Sequence, residues 1–262
     1  MDLPRLFKPE PRTDLQKDFR QWFATDLGSY LLAEEDALLT QVLPDLFGYH
    51  ALQIGQVVPR NLLISSRIRH CCIVDAALPV VEGLSPLRAE PEHLPFANNS
   101  LDLVLIHHGL DGAASPHALL REASRVLIPE GHLLILGFNP WSLWGVWRLF
   151  RLPWGDLPWL RRPLSPQRLA DWLTLLDFEV VGLESAGFAP PLTHDTIRRR
   201  FAWLETLGRR YWSQRGASYA LLARKRLSCI TPIEPRLRRR FASPAPVLVT
   251  EARSRRVLPD EE

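Results

Sequence analysis

The 262 residues are enough for one α/β domain of ordinary size with chain to spare, and an apolar share of 46% with nine Trp supplies a sizeable core. No apolar run approaches the roughly 18 residues of a membrane-spanning helix, and the start, MDLPRLFKPEPR, lacks the apolar stretch of a secretory leader, so a cytoplasmic protein is expected. The net charge of +3 is unevenly placed: 16 of the 32 Lys and Arg lie from Asp195 onward against 7 acidic residues, a surplus of nine, while the rest of the chain is acidic. Such a split suits an anionic partner at the basic end, although a run of Arg with few Lys is also what a GC-rich genome produces.

Residues 1–12 are Pro-rich and read as loose chain. A helix is expected from Thr13 to about Ala24, with Leu15, Phe19, Trp22 and Phe23 on one face. A second comes after Ser29, carrying Leu31, Leu32, Leu38, Leu39, Val42, Leu43 and Leu46 as an apolar stripe and stopping at Gly48. Together they would cover the entrance to the sheet. The first strand is expected at Ala51–Gly55 and the next at His70–Asp75, with a short helix over Asn61–Arg67 between them. A strand ending in a glycine turn, then a second ending in an acid, opens a nucleotide-binding α/β sheet. Cys71 and Cys72 read as neighbouring strand residues, one packed and one not; with Cys229 far away, they suit neither a disulfide framework nor a metal site.

The stretch from Leu87 to Pro140 holds two strands with no polar alternation, Leu101–Ile106 and Leu133–Phe138, the pattern of a parallel sheet buried on both faces. Between them Ser115 caps a helix that starts at Pro116, carries Leu119, Leu120, Ala123, Val126 and Leu127 at helical spacing, and stops at Pro129, Glu130 and Gly131. Trp141 to Arg162 is the most aromatic segment: Trp141, Trp144 and Trp147 have near-helical spacing beside Arg148 and Arg151. It reads as a packed helix closing the sheet edge, as a lid over an apolar pocket, or as a segment making peripheral contact with a membrane surface. Next come a helix from Ser165, a strand at Phe178–Leu183, a helix from Thr193 to about Trp212 and a last strand at Tyr219–Ala223. Arg198–Arg200 would lie on a solvated helix face. From Arg226 the chain turns Pro- and Arg-rich and reads as a basic, disordered tail after a domain over residues 1–225.

The segments AEPEHLPFANNSLDLVLIHHGLD and LLREASRVLIPEGHLLILGFNPWS carry an acid, an LPF turn, a strand with an early Asp and an RVL turn before the next strand. This order resembles the class I S-adenosylmethionine-dependent methyltransferases, specifically over Leu87–Ser142 and more loosely over Leu52–Lys225. The resemblance implies a Rossmann-like, seven-stranded, mostly parallel sheet with helices on both faces and an antiparallel last strand. It implies S-adenosylmethionine as cofactor, with Gly55 under its methionine part, Asp75 on the ribose and Glu90 beside the adenine amino group. His107 or His108 would stand where the fourth strand opens into the active site, as a base if the acceptor must lose a proton. Asn139, Trp141, Trp144 and Trp147 would line the acceptor pocket.

The first glycine motif departs from the family's pattern. Gln53 stands where an acid is usual and Val57 where a glycine is; Gln53 would still bind the cofactor, more weakly, through its side-chain oxygen. A carboxylate would contact the charged amino acid end of the cofactor, and a charge-assisted bond is about twice as strong as a neutral one. No Asn-Pro-Pro-aromatic run comes after the fourth strand, where His107-His108-Gly109-Leu110 stands. The expected function is therefore methyl transfer to a small-molecule or lipid-like acceptor. The alternatives are a weakened or inactive methyltransferase-fold scaffold, and a nucleic-acid-binding protein using the basic C-terminal part.

Overall fold

The structure is a computed structural model that describes residues 12–55, 58, 60–76, 81–111, 113, 115–145, 163–191, 202–212 and 214–226. Seven strands form one sheet: β1 (His50–Ile54), β2 (His70–Asp75), β3 (Ser85–Arg88), β4 (Leu101–His107), β5 (Leu127–Phe138), β6 (Phe178–Ala186) and β7 (Ser218–Lys225). Their spatial order is β3-β2-β1-β4-β5-β7-β6. Strands β1 to β5 pair in parallel, while β7 pairs antiparallel with both β5 and β6. This is the Rossmann-like sheet that the resemblance implies.

The near-continuous apolar strands are explained by two cores, one on each face. Ala51, Ile73, Leu103, Leu105, Leu134 and Leu136 pack with the N-terminal helices α1 (Arg12–Phe23) and α2 (Asp26–Val42). Their alternate neighbours Leu52, Ile54, Val74, Val104, Ile106, Leu133 and Ile135 pack with α3 (Pro116–Val126) and α4 (Pro166–Leu175). Successive strand residues point to opposite faces, so a run with no polar member is what a doubly covered sheet requires. Cys71 and Cys72 obey the same alternation, each half-buried against a different core. Neither is unpacked, and burial pushes both thiols up.

Several elements differ locally from expectation. The second helix begins at Asp26, three residues earlier than Ser29, because the Thr25 hydroxyl caps it by accepting the Gly28 N–H at 3.2 Å. Gly28 lets the two helices meet closely, since a Cβ there would lie 2.2 Å from the Trp22 carbonyl oxygen. The helix ends at Val42 and passes into a short 3-10 turn through Pro44, so Gly48 is not its stop. Gly48 instead lies against β4: a Cβ would sit 2.3 Å from Cβ of Asp102, whose carboxylate accepts the N–H groups of Tyr49 and His50 at 2.9 Å each. Residues 62–65 form turns and not the expected helix. Strand β5 already begins at Leu127, and its expected stop survives as an irregularity in pairing with β4, with Glu130 at a φ of 66°. The last helix among the described residues, α5, covers Ala202–Tyr211.

Candidate active site

In an open parallel sheet, ligands bind outside the carboxyl ends of the strands, and the residues singled out from the sequence cluster there. Gly55 comes directly after β1 with a φ of 84°, a conformation open to glycine. Its N–H donates to the Val74 carbonyl at 2.9 Å, and a Cβ built on it would meet nothing within 4 Å. Asp75 ends β2, fully buried, and its carbonyl accepts the Ala89 N–H at 3.1 Å, which draws in the chain leaving β3. Glu90 comes next on that chain and is exposed. Open space above Gly55, a buried acid at β2 and an exposed acid past β3 thus stand side by side at the carboxyl ends of the strands.

Gln53 is committed elsewhere. Its carboxamide is buried; Nε2 donates to the Arg60 carbonyl at 3.3 Å and Oε1 accepts the Leu62 N–H at 3.1 Å. Arg60 in turn pairs with Asp36 of α2. Gln53 thus ties the connection after β1, which among its described residues shows no helix of the kind whose N-terminus commonly faces an anionic ligand group in this fold class. Val57 lies outside the described residues.

The LPF segment is secured from α3. Arg125 donates to the Leu94 and Phe96 carbonyls at 3.0 and 2.9 Å and to Asn98 Oδ1 at 2.6 Å. Glu122 accepts the Leu94 N–H at 2.9 Å and pairs with Arg125 at 2.7 Å. The bonds from Arg125 hold the Glu122 carboxyl below the usual carboxylate range, against some loss of hydration.

His107 and His108 do stand at the end of β4, but both are buried and covered by the N-terminal helices. Each directs Nε2 at one carboxylate, that of Glu35 in α2, at 2.9 Å; His108 Nδ1 meets Asp111 Oδ2 at 3.1 Å. Phe23 packs against both rings at 5.6 and 5.3 Å, and Phe138 lies 4.1 Å from His108. Burial works against a charged His108, but the charge of Glu35 and the bond to Asp111 outweigh it and raise its pKa to about 9. Burial dominates at His107 and lowers its pKa despite the Glu35 bond. At Glu35 burial is outweighed by the charge of His108 and by both imidazole bonds, and the carboxyl is held well below its usual range. Sequence reasoning missed Glu35 and Asp111. The signal for Glu35 was an acid inside an apolar stripe, between Leu31, Leu32, Leu38 and Leu39.

The expected acceptor pocket is divided. Asn139 is a structural hinge: its N–H donates to Ala217, Nδ2 donates to Gln214 at 2.8 Å, and Oδ1 accepts the Trp141 N–H at 3.0 Å. Trp141 is 71% exposed whereas Trp144 is 4% exposed, its indole N–H donating to the Ala189 carbonyl at 2.8 Å and its ring edge-on to Trp22. The two Trp therefore do not share a face. Phe138, Asn139, Pro140, Trp144, Gly145, Pro163 and Ala217 line a shallow, mainly apolar recess. Trp147 and the rest of the aromatic segment to residue 162, Arg198–Arg200 and the tail from residue 227 lie outside the described residues.

Residues 64–135 match the family model described as a methyltransferase domain, a range from the loop before β2 into β5. The sheet also superposes on a Thermotoga maritima SAM-dependent methyltransferase, described as a possible histamine N-methyltransferase, with a TM-score of 0.58 at 17% identity over 81% of this chain and 97% of that one. Residues 64–135 thus match a methyltransferase domain, on a sheet with the fold of that solved protein. Among relatives of this domain, Escherichia coli YafS, described as uncharacterized, is 39% identical over 137 residues, 52% of this chain and 55% of its own. The Haemophilus ducreyi ubiquinone/menaquinone biosynthesis C-methyltransferase UbiE is 42% identical over 62 residues, 24% of each chain. The chain thus spans about half the length of the first and a quarter of the second. Among the described residues, no helix is long and apolar enough to cross a membrane.

Proposed function

We propose that the methyltransferase domain binds S-adenosylmethionine across the carboxyl ends of β1, β2 and β3 and transfers its methyl group to a small-molecule or lipid-like acceptor. The observation that carries this reading is Gly55, held at positive φ with open space above it and next to the buried Asp75. Asp75 accepts the ribose hydroxyls and Glu90 the adenine amino group. The cofactor brings an activated sulfonium; the protein supplies position and an environment that excludes water. The apolar recess at Phe138 and Trp144 supports an apolar acceptor. No proton transfer is assigned to His107 or His108, because neither imidazole reaches the surface.

The commitment of Gln53 to the Arg60–Leu62 loop supports the competing scaffold reading, since it gives the amino acid end of the cofactor no carboxylate. Calorimetric titration with millimolar S-adenosylhomocysteine separates the two. Binding that is lost in Asp75→Ala supports the enzyme; absence of heat and of any thermal shift in the wild type leaves the scaffold.

A further inference from the structure

We propose that Glu35, His107 and His108 form a binding site for one divalent transition-metal ion, zinc in first place. Their ligand atoms, one from each side chain, lie within 4.8 Å of one another and all three residues are buried. Two imidazoles and one carboxylate are a donor set that zinc takes, with a fourth position left for water or another oxygen. At metal–ligand distances of about 2.1 Å, ligand atoms of a tetrahedral site stand roughly 3.4 Å apart. His107 Nε2 stands 2.9 Å from Oε2 of Glu35 and His108 Nε2 2.9 Å from Oε1, so an ion between the rings needs those contacts to open and the three ligand atoms, now within 4.8 Å, to draw around it.

Backbone geometry brings the two imidazoles together. Consecutive strand residues face opposite sides of a sheet, and His107 faces α2. His108 would face away, but its φ of 49° turns it back so that both rings meet the same carboxylate. Positive φ is uncommon for residues other than glycine and is concentrated at functional sites. A second carboxylate completes the pattern. Metal-bound histidines commonly donate their other ring N–H to a carboxylate, which fixes tautomer and orientation, and Asp111 stands in that place at His108 Nδ1, itself held by the Phe138 N–H at 3.1 Å. The support is one-sided, since His107 Nδ1 is buried without a partner. Phe23 and Phe138 pack on the rings and hold them in place.

Loading is proton-balanced. The ion takes both Nε2 lone pairs; His107 carries its proton on Nδ1, and His108 keeps Nδ1–H toward Asp111 and releases its Nε2 proton to solvent.

The test uses untagged full-length protein, stripped with chelator and loaded with Co2+. One Co2+ per chain with ligand-field bands in the visible, displaced by one equivalent of Zn2+, is expected. Glu35→Gln and His107→Gln should abolish it, and Asp111→Asn should weaken it 10- to 100-fold. Should these variants fail to fold, X-ray absorption of the Zn2+-loaded wild type decides, with nitrogen and oxygen scatterers expected. Sub-stoichiometric metal, sulfur ligation, or full binding in folded Glu35→Gln overturns the proposal. None of these measurements depends on cofactor binding or methyl transfer.

Discussion

The side-chain oxygen of Gln53 accepts the N–H of Leu62, and its nitrogen donates to the carbonyl of Arg60. A carboxylate could keep the first bond but not the second. Gln53→Glu, which restores the family's usual acid, should therefore destabilise the fold by about 1–3 kcal/mol, the cost of an unsatisfied buried group, and should not tighten S-adenosylhomocysteine. Chemical denaturation and calorimetry on the same variant check both parts.

Glu122 and Arg125 give a pH-dependent contribution to stability. The folded pKa of Glu122 is lowered from 4.5, so its stabilisation is present above that value and is lost as pH falls through the folded pKa. The difference in Tm between wild type and Glu122→Gln should be constant near neutrality and shrink below about pH 4.5. A difference that persists unchanged at lower pH would show that the carboxylate does not matter.

Arg125→Lys should loosen the loop after Glu90 while sparing the sheet. A lysine ammonium cannot reproduce the fork that reaches Leu94, Phe96 and Asn98 together. Faster amide exchange at residues 94–98, with unchanged exchange in β4 and β5, is the expected result.

Gly137 in β5 leaves room for Tyr219 of β7. A Cβ would lie 2.7 Å from the Tyr219 hydroxyl, and that ring is 1% exposed. Gly137→Ala should cost about 1–3 kcal/mol through overpacking, and pairing it with Tyr219→Phe should recover part of the loss in a double-mutant cycle.

The sheet was legible in the sequence because its signals are local. The unbroken apolar runs of β4 and β5 and the Ser115-Pro116 start each state their role within a few residues. What was not legible depended on contacts between distant residues. Asn61–Arg67 has a composition that permits a helix, but Gln53 and Asp36 hold that segment as turns. Trp141 and Trp144 are three apart, yet Asn139 bends the chain between β5 and the segment so that only one is buried. The same holds at His107 and His108: their position at the end of β4 was readable, while their shared partner Glu35 lies 72 and 73 residues earlier.

The placement of β7 bears on how the chain is made. It is the last strand in sequence among the described residues, yet it lies inside the sheet, joining β5 to β6. A nascent chain that has reached Ala186 holds β6 with no neighbour to bond and leaves the β5 edge, Leu133 to Leu136, unpaired, the kind of surface on which newly made chains aggregate. The sheet closes only once Ser218–Lys225 has been synthesised, so a stop codon before that point should yield insoluble protein and not a shorter working domain.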